Sequence, residues 1–120
     1  MKLEISMYVR INDEFRQICL GIGKIKNIVQ DSVYVIMSNK NLPISFELKN
    51  IEKASFNLID LIEVGDYVNG NPVCQIKKDE HNRIWIYTDS NYKYGYLEED
   101  IVDVVTKEQF DREKYIVKEW

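Results

Sequence analysis

The chain has 120 residues and a mass of 14.3 kDa, the size of one ordinary domain, so a single domain over residues 1–120 is expected. Hydrophobic residues make up 45% and charged residues 30%, a balance that excludes a disordered chain. Residues 1–60 hold 8 basic and 7 acidic side chains, whereas residues 61–120 hold 8 and 13. Neither half has the basic excess that duplex nucleic acid binding requires.

The first half of the chain consists mainly of short segments in which apolar and polar residues alternate, a pattern typical of half-buried strands. Gly21 and Gly23 lie inside the second of these segments and predict a bulge or a sharp bend. The predicted strands are Leu3–Val9, Phe15–Ile28, Ser32–Met37, Pro43–Leu48 and Ile51–Ser55.

The second half begins with a change of period. Asn57–Ile62 has helical spacing, and Thr106 with Gln109 has the spacing of a capping box that starts a second short helix, ending near Glu113. Asn69-Gly70 is a tight-turn signal. Further strands are predicted at Tyr67–Val68, Val73–Ile76, Arg83–Thr88, Tyr92–Tyr96, Ile101–Val105 and Tyr115–Trp120. The fold class is therefore mainly β: a strongly bent antiparallel sheet or an SH3-like small barrel with two short helices.

Two segments of the second half carry a resemblance to a known group of proteins. Asn57–Gly70, NLIDLIEVGDYVNG, and Ile101–Phe110, IVDVVTKEQF, resemble motifs of small accessory proteins of phages and prophages in low-G/C Gram-positive bacteria. The resemblance implies a phage protein, a context in which chains of this size often act against host defence. That group has no assigned reaction. Both motifs contain turn and cap residues, which predicts a scaffold and places ligand contacts in the variable residues 1–56 and 74–96.

The candidate binding site is an aromatic segment in the second half. Trp85 and Tyr87 alternate with Ile84 and Ile86, so they are expected on the opposite face of their strand, and Tyr92, Tyr94 and Tyr96 are expected to share one face of the next strand. Aromatic side chains that project together from adjacent strands form a platform for stacking a base, and basic neighbours bind its phosphates. The predicted ligand-binding residues are Trp85, Tyr87, Tyr92, Tyr94, Lys93 and Arg83. The alternative is that one aromatic face packs the core and the other supports a dimer.

Other chemistry-bearing residues favour structural explanations. His81 is the single histidine and has no partner at a catalytic spacing, and Cys19 and Cys74 have no CxxC or zinc spacing and are expected to be reduced, partly buried thiols. The acidic cluster Glu98–Asp100 is interpreted as a solvated turn. Because no nucleophile, base and oxyanion donor come together, we expect a protein that is not an enzyme and has no cofactor or metal.

The expected function is therefore binding. The first hypothesis is a counter-defence protein that sequesters a nucleotide immune signal as a homo-oligomer, with apolar surface around Trp85 or Trp120 in the subunit contact. The alternative is an anti-CRISPR-like inhibitor that binds a host defence protein through the acidic C-terminal half. No apolar run reaches the ~20 residues of a membrane span, and the N-terminus has no signal-peptide core. We therefore expect no membrane partner and a cytoplasmic location in the bacterial host.

Overall fold

The computed structural model describes residues 2–12, 21–37 and 42–111, and the chain divides into two compact units, residues 1–61 and 62–120. Each unit contains one five-stranded antiparallel sheet, which confirms the mainly β prediction. Of the two architectures that the sequence left open, the barrel is not formed, because neither sheet closes among the described residues. The single-domain expectation stays a prediction.

The first unit is built from strands β1 to β5 in the order β4-β3-β2-β1-β5. A 3₁₀ turn at Leu48–Asn50 separates β4 from β5, and another at Leu58–Leu61 follows β5 where the sequence predicts a helix. The strands are β1 Tyr8–Ile11, β2 Gly21–Val29, β3 Ser32–Met37, β4 Ile44–Glu47 and β5 Ile51–Ser55.

The core of the first unit follows from the alternation along these strands. The side chains on one face of the sheet are buried together, and they are Val9, Ile11, Ile25, Val33, Val35, Met37, Phe46 and Ile51. Gly23 lies within this packing, opposite Val9 on one side and Met37 on the other. A Cβ at Gly23 would lie 2.5 Å from Val35 Cγ1 and 2.8 Å from the Ile36 carbonyl oxygen. Close packing therefore requires a glycine at position 23. The bulge predicted at Gly21 and Gly23 lies instead further along β2, where the register shifts between Ile25 and Asn27.

The second unit is built from strands β6 to β10 in the order β10-β6-β7-β8-β9. A two-residue turn, Asn69-Gly70, joins β6 to β7 with φ of 52° and 84°, as the tight-turn signal predicts. The strands are β6 Tyr67–Val68, β7 Asn71–Lys78, β8 Ile84–Thr88, β9 Asn91–Tyr96 and β10 Val104–Val105. A 3₁₀ turn spans Glu98–Asp100, and residues 107–111 form helix α1.

The capping box that the sequence predicts at the start of α1 is confirmed. The Gln109 backbone N–H donates to Thr106 Oγ1 at 3.2 Å, and the Thr106 backbone N–H donates back to Gln109 Oε1 at 3.4 Å. Thr106 is buried, so the cap satisfies polar groups that solvent does not reach.

The two resemblance motifs, 57–70 and 101–110, meet within the second unit. Strand β6 from the first motif pairs with β10 from the second, and the ring of Tyr67 stacks on that of Phe110 at a centroid distance of 4.1 Å. Buried Asp66 joins them again, because its carboxylate accepts the backbone N–H of Glu63 at 2.8 Å and that of Lys107 at 2.9 Å. The contacts support the scaffold role that their turn and cap residues indicate.

Some predicted element boundaries differ from the structure. The first strand begins at Tyr8, because Ser6 takes a positive φ of 76° within a turn before it. The strand predicted at Ile101–Val105 is confined to its last two residues, because Asn69 holds the preceding backbone in a loop. The predicted strand at 115–120 and the first part of the strand at 15–28 lie outside the described residues.

Candidate functional site

The register of the β7–β8 hairpin decides which side chains share a face. Ile76 is opposite Ile86, and Lys77 is opposite Trp85. Ile86 is fully buried, so the face that it occupies is the interior of the second unit. The alternation therefore places Trp85 and Tyr87 on the other face, as the sequence predicts.

Two cations accompany the two aromatic rings on this outer face. The Arg83 guanidinium carbon lies 5.7 Å from the centre of the Trp85 ring, and Lys77 Nζ lies 5.9 Å from the centre of the Tyr87 ring. Both distances are within the range of cation–π attraction. We call the surface formed by Lys77, Arg83, Trp85 and Tyr87 the aromatic face. Both rings are half-buried, and both cations are exposed.

Strand β9 borders the aromatic face and ends the described sheet on that side. Tyr92 and Tyr94 are 70% and 77% exposed, and Lys93 between them is also exposed. Adjacent strands lie about 4.8 Å apart, so β9 lies next to the strand that carries Trp85 and Tyr87. The six predicted site residues therefore lie on β8 and β9 or immediately before them.

A bulge in β9 breaks the alternation that the sequence suggests for its tyrosines. The pairing of β8 with β9 shifts register between Ile86 and Thr88, and Gly95 takes a φ of 75°. Asn91 Nδ2 closes the bulge by donating to the Gly95 carbonyl oxygen at 3.1 Å. A Cβ at Gly95 would lie 3.0 Å from the Tyr87 ring, so the Tyr87 ring rests directly on this glycine.

The loop between β7 and β8 is organised by Asp79, a residue that the sequence analysis did not select. Its Oδ2 accepts Trp85 Nε1 and Arg83 Nε, each at 2.9 Å. Its Oδ1 accepts the backbone N–H groups of His81 at 2.8 Å and Arg83 at 3.0 Å. The Trp85 indole and these other donors hold the pKa of Asp79 well below its usual range. An Asp at the start of a hairpin loop is the sequence signal that indicates such a cap.

Charge is unevenly placed within the second unit. The cations near the aromatic face are Lys77, Lys78, Arg83 and Lys93, all of them exposed. Of the eleven acidic side chains among its described residues, six lie elsewhere, in the turn and loop at residues 98–103 and in α1, whereas Asp79, Glu80 and Asp89 occupy the two hairpin loops. An anion is therefore repelled from the acidic loop at residues 98–103, and the four cations near the aromatic face outnumber the three acids of the hairpin loops.

The acidic loop is held by Asn69. Its Oδ1 accepts the backbone N–H groups of Val102 at 2.8 Å and Asp103 at 3.1 Å, and its Nδ2 donates to the Asp100 carbonyl oxygen at 3.0 Å. Val102, which is 92% exposed, is consequently presented on a fixed loop, next to Asp103 and two residues after Asp100.

A pocket of about 330 Å³ lies in the first unit and not at the aromatic face. It is an open depression on β2 and β3, and its lining residues are Lys26, Asn27, Val29, Tyr34 and Pro43. None of the predicted ligand-binding residues lines this pocket, and the exposed tyrosines of β9 stand on an open surface.

The remaining candidates have surface roles. His81 is exposed in the β7–β8 loop, with Nε2 at 3.6 Å from Glu80 Oε1, and the Cys74 thiol donates to the Tyr87 carbonyl oxygen. Within residues 2–12, 21–37 and 42–111, no three His, Cys, Asp or Glu side chains are placed to hold a metal ion. No helix in this part of the chain has the length and apolar character needed to cross a membrane.

Comparisons of the chain with protein-family models, with curated proteins and with solved structures return no match.

Proposed function

We propose that the protein binds a nucleotide-type small molecule on the aromatic face and the adjoining strand β9, and that it holds this ligand without turnover. The observation that carries the proposal is that β9, with exposed Tyr92 and Tyr94, lies next to the strand whose Trp85 and Tyr87 rings attract cations. A planar anionic ligand matches both parts of this surface, because its ring system stacks and its phosphate meets the cations.

The two strands suggest a division of roles. The rings of Trp85 and Tyr87 are half-buried and each has a cation near one face, whereas Tyr92 and Tyr94 present most of their surface to solvent. The base of the ligand therefore stacks on the β9 tyrosines, and its phosphate lies towards Arg83. Because this surface is open, the ligand remains partly exposed unless a second subunit covers it.

A homo-oligomer is part of the proposal for that reason. Strand β9 is at the end of the described sheet and carries exposed tyrosines, so a second copy of the chain would cover both the tyrosines and the bound ligand. Light scattering should then give a mass above the 14.3 kDa of one chain. A mass of one chain at all concentrations, with or without ligand, contradicts the oligomer.

The biological setting rests on the resemblance alone. Together with ligand binding without turnover, it supports a phage protein that sequesters a nucleotide immune signal in the cytoplasm of the bacterial host. Mass spectrometry of compounds released by heating protein from infected, defence-positive cells tests this setting. Recovery of a signal nucleotide supports it, and release of no nucleotide contradicts it.

Calorimetric titration with cyclic dinucleotides, cyclic ADP-ribose isomers and common mononucleotides tests the binding site. We expect Tyr94→Ala to weaken binding by about 5- to 150-fold, the range for losing one stacked base. We expect Lys93→Gln to weaken it in a manner that fades as salt is raised, because exposed charges are screened. Phe56→Ala, an equally simple removal of an exposed ring in the first unit, is the matched control. No nucleotide binding by the parent protein contradicts the proposal.

The second candidate function is the inhibition of a host defence protein through the acidic C-terminal half. The observation that favours it is exposed Val102, fixed by Asn69 in a loop that also carries Asp100 and Asp103, which matches an apolar pocket ringed by basic side chains. Retention of a defence protein by the parent and its loss in Val102→Asp supports this function. Equal retention by both proteins contradicts a role for the loop.

A further inference from the structure

The β7–β8 loop contains one carboxylate that accepts four hydrogen bonds. Asp79 Oδ1 accepts two backbone N–H groups, from His81 and Arg83, and Oδ2 accepts two side-chain donors, Arg83 Nε and Trp85 Nε1. The loop backbone is closed independently, because Asp79 N–H donates to the Arg83 carbonyl oxygen at 2.9 Å and Asn82 N–H donates to the Asp79 carbonyl oxygen at 3.0 Å.

The two carboxylate oxygens therefore have separate roles. Oδ1 fixes the path of the loop, as an Asx turn does, whereas Oδ2 fixes the orientation of the Trp85 ring and of the Arg83 guanidinium. Both side chains lie on the aromatic face, and Arg83 is held over the Trp85 ring by the same contact. Neither side chain is far enough from solvent to be immobilised by packing alone.

Arg83 keeps part of its binding capacity under this restraint. Among the described residues, its guanidinium is hydrogen-bonded through Nε only, to Asp79. The two terminal Nη groups, which carry four of the five guanidinium N–H donors, are therefore available to an oxyanion. The neighbouring Lys77 adds a second positive charge, which compensates for the negative charge of Asp79 near the anion.

We propose that Asp79 is the positioning residue of the ligand site: its Oδ2 sets Trp85 and Arg83 before the ligand arrives and directs the Arg83 Nη groups to a ligand phosphate. The inference rests on the proposed function. It adds that Asp79 orders the site before binding and that the phosphate is the ligand group that benefits. Fixing side chains in advance lowers the ordering cost of binding, which is the physical benefit of the clamp.

The variant Asp79→Asn separates the two roles of the carboxylate. The amide oxygen of Asn accepts the backbone N–H groups of residues 81 and 83, but Nδ2 is a donor and cannot accept from Trp85 Nε1 or Arg83 Nε. The loop is therefore retained and the clamp is lost. Electrostatics and positioning now predict opposite results, because removing a negative charge beside an anion site should strengthen phosphate binding.

The experiment is a calorimetric titration of the parent and Asp79→Asn with the nucleotide that binds best and with its nucleoside, which lacks phosphate. We expect the nucleotide to bind roughly 2- to 12-fold more weakly to the variant for each side chain released. We expect a smaller change for the nucleoside. The matched control is Glu80→Gln, which removes one charge from the same loop at an exposed side chain whose contact is with His81.

A second measurement follows the clamp directly. In a Trp120→Phe background, Trp85 is the only indole, so quenching of its fluorescence by acrylamide reports its mobility and access. We expect Asp79→Asn to raise the quenching constant and Glu80→Gln to leave it unchanged. Melting temperatures of all variants confirm that the loop and sheet remain folded.

The outcomes distinguish the positioning role of Asp79 from the proposed nucleotide binding itself. If the parent binds a nucleotide and Asp79→Asn binds it as tightly or more tightly, or if the quenching does not change, the positioning role is overturned while the proposed function stands. If the parent binds no nucleotide, the proposed function fails, and the ligand role of Asp79 fails with it, even where the quenching changes. Weaker nucleotide binding together with increased quenching supports the inference.

Discussion

Replacing Asp66 should destabilise the second unit more than replacing any exposed acid in it. The carboxylate is fully buried, and each of its oxygens accepts a backbone N–H, from Glu63 at one side and from Lys107 at the start of α1 at the other. Asp66→Asn keeps one acceptor and turns a donor towards the other N–H, whereas Asp66→Ala leaves both N–H groups without this partner. A buried donor without a partner costs about 1–3 kcal/mol.

We therefore expect a loss of about 2 kcal/mol in the free energy of unfolding for Asp66→Asn and about 4 kcal/mol for Asp66→Ala. Urea denaturation followed by circular dichroism measures these losses, and each kcal/mol should lower the melting temperature by about 4 °C. Asp103→Ala, which truncates an exposed acid on the neighbouring loop, is the control and should change little. A loss below about 0.5 kcal/mol for Asp66→Ala refutes the view that Asp66 joins the two motifs.

Three further outcomes are expected. Gly23→Ala should lower the free energy of unfolding, measured by chemical denaturation, by about 1–3 kcal/mol, because the new Cβ clashes with Val35. Unchanged stability would mean that β3 shifts to accommodate the Cβ at no energetic cost. Folding lowers the pKa of Asp79, so its carboxylate stabilises the fold above the pKa of the unfolded chain, near 4, and this contribution is lost as the pH falls below that value. The stability difference between the parent and Asp79→Asn should therefore shrink when melting is measured in acid. A difference that stays constant from pH 7 to pH 2 speaks against the clamp. Asn69→Ala should speed hydrogen exchange at the Val102 and Asp103 amides, and unaltered exchange rules out the side-chain clamp.

Features that depend on neighbouring residues were predictable from the sequence. The alternation of Ile84, Trp85, Ile86 and Tyr87 placed the aromatic side chains on the outer face, and the β7–β8 register confirms this placement. The Thr106 cap is likewise confirmed, because a capping box depends on residues three apart. In such features the chemistry lies within one strand or one turn, so the pattern determines the geometry.

Features that depend on the approach of distant segments were not predictable. Gly23 suggested strand curvature, whereas the structure requires it because β3 lies too close for a Cβ. The alternating tyrosines of β9 suggested one shared face, but the bulge at Gly95 breaks their alternation. The role of Asp79 depends on a hydrogen bond that its carboxylate accepts from Trp85 on the other strand of the hairpin. A single sequence does not show which side chains meet across a hairpin.

The order of strands in the second sheet separates the contacts between the two motifs from the proposed binding surface. The two resemblance motifs supply β10 and β6 at one end of the order, where Asp66 and Asn69 join them, whereas β8 and β9 lie at the other end. Strand β7 separates the two ends, and the Trp85 and Tyr87 side chains point away from the buried Ile86. Under the proposed function, substitutions on the outer face should therefore alter ligand binding while leaving the contacts between the motifs intact.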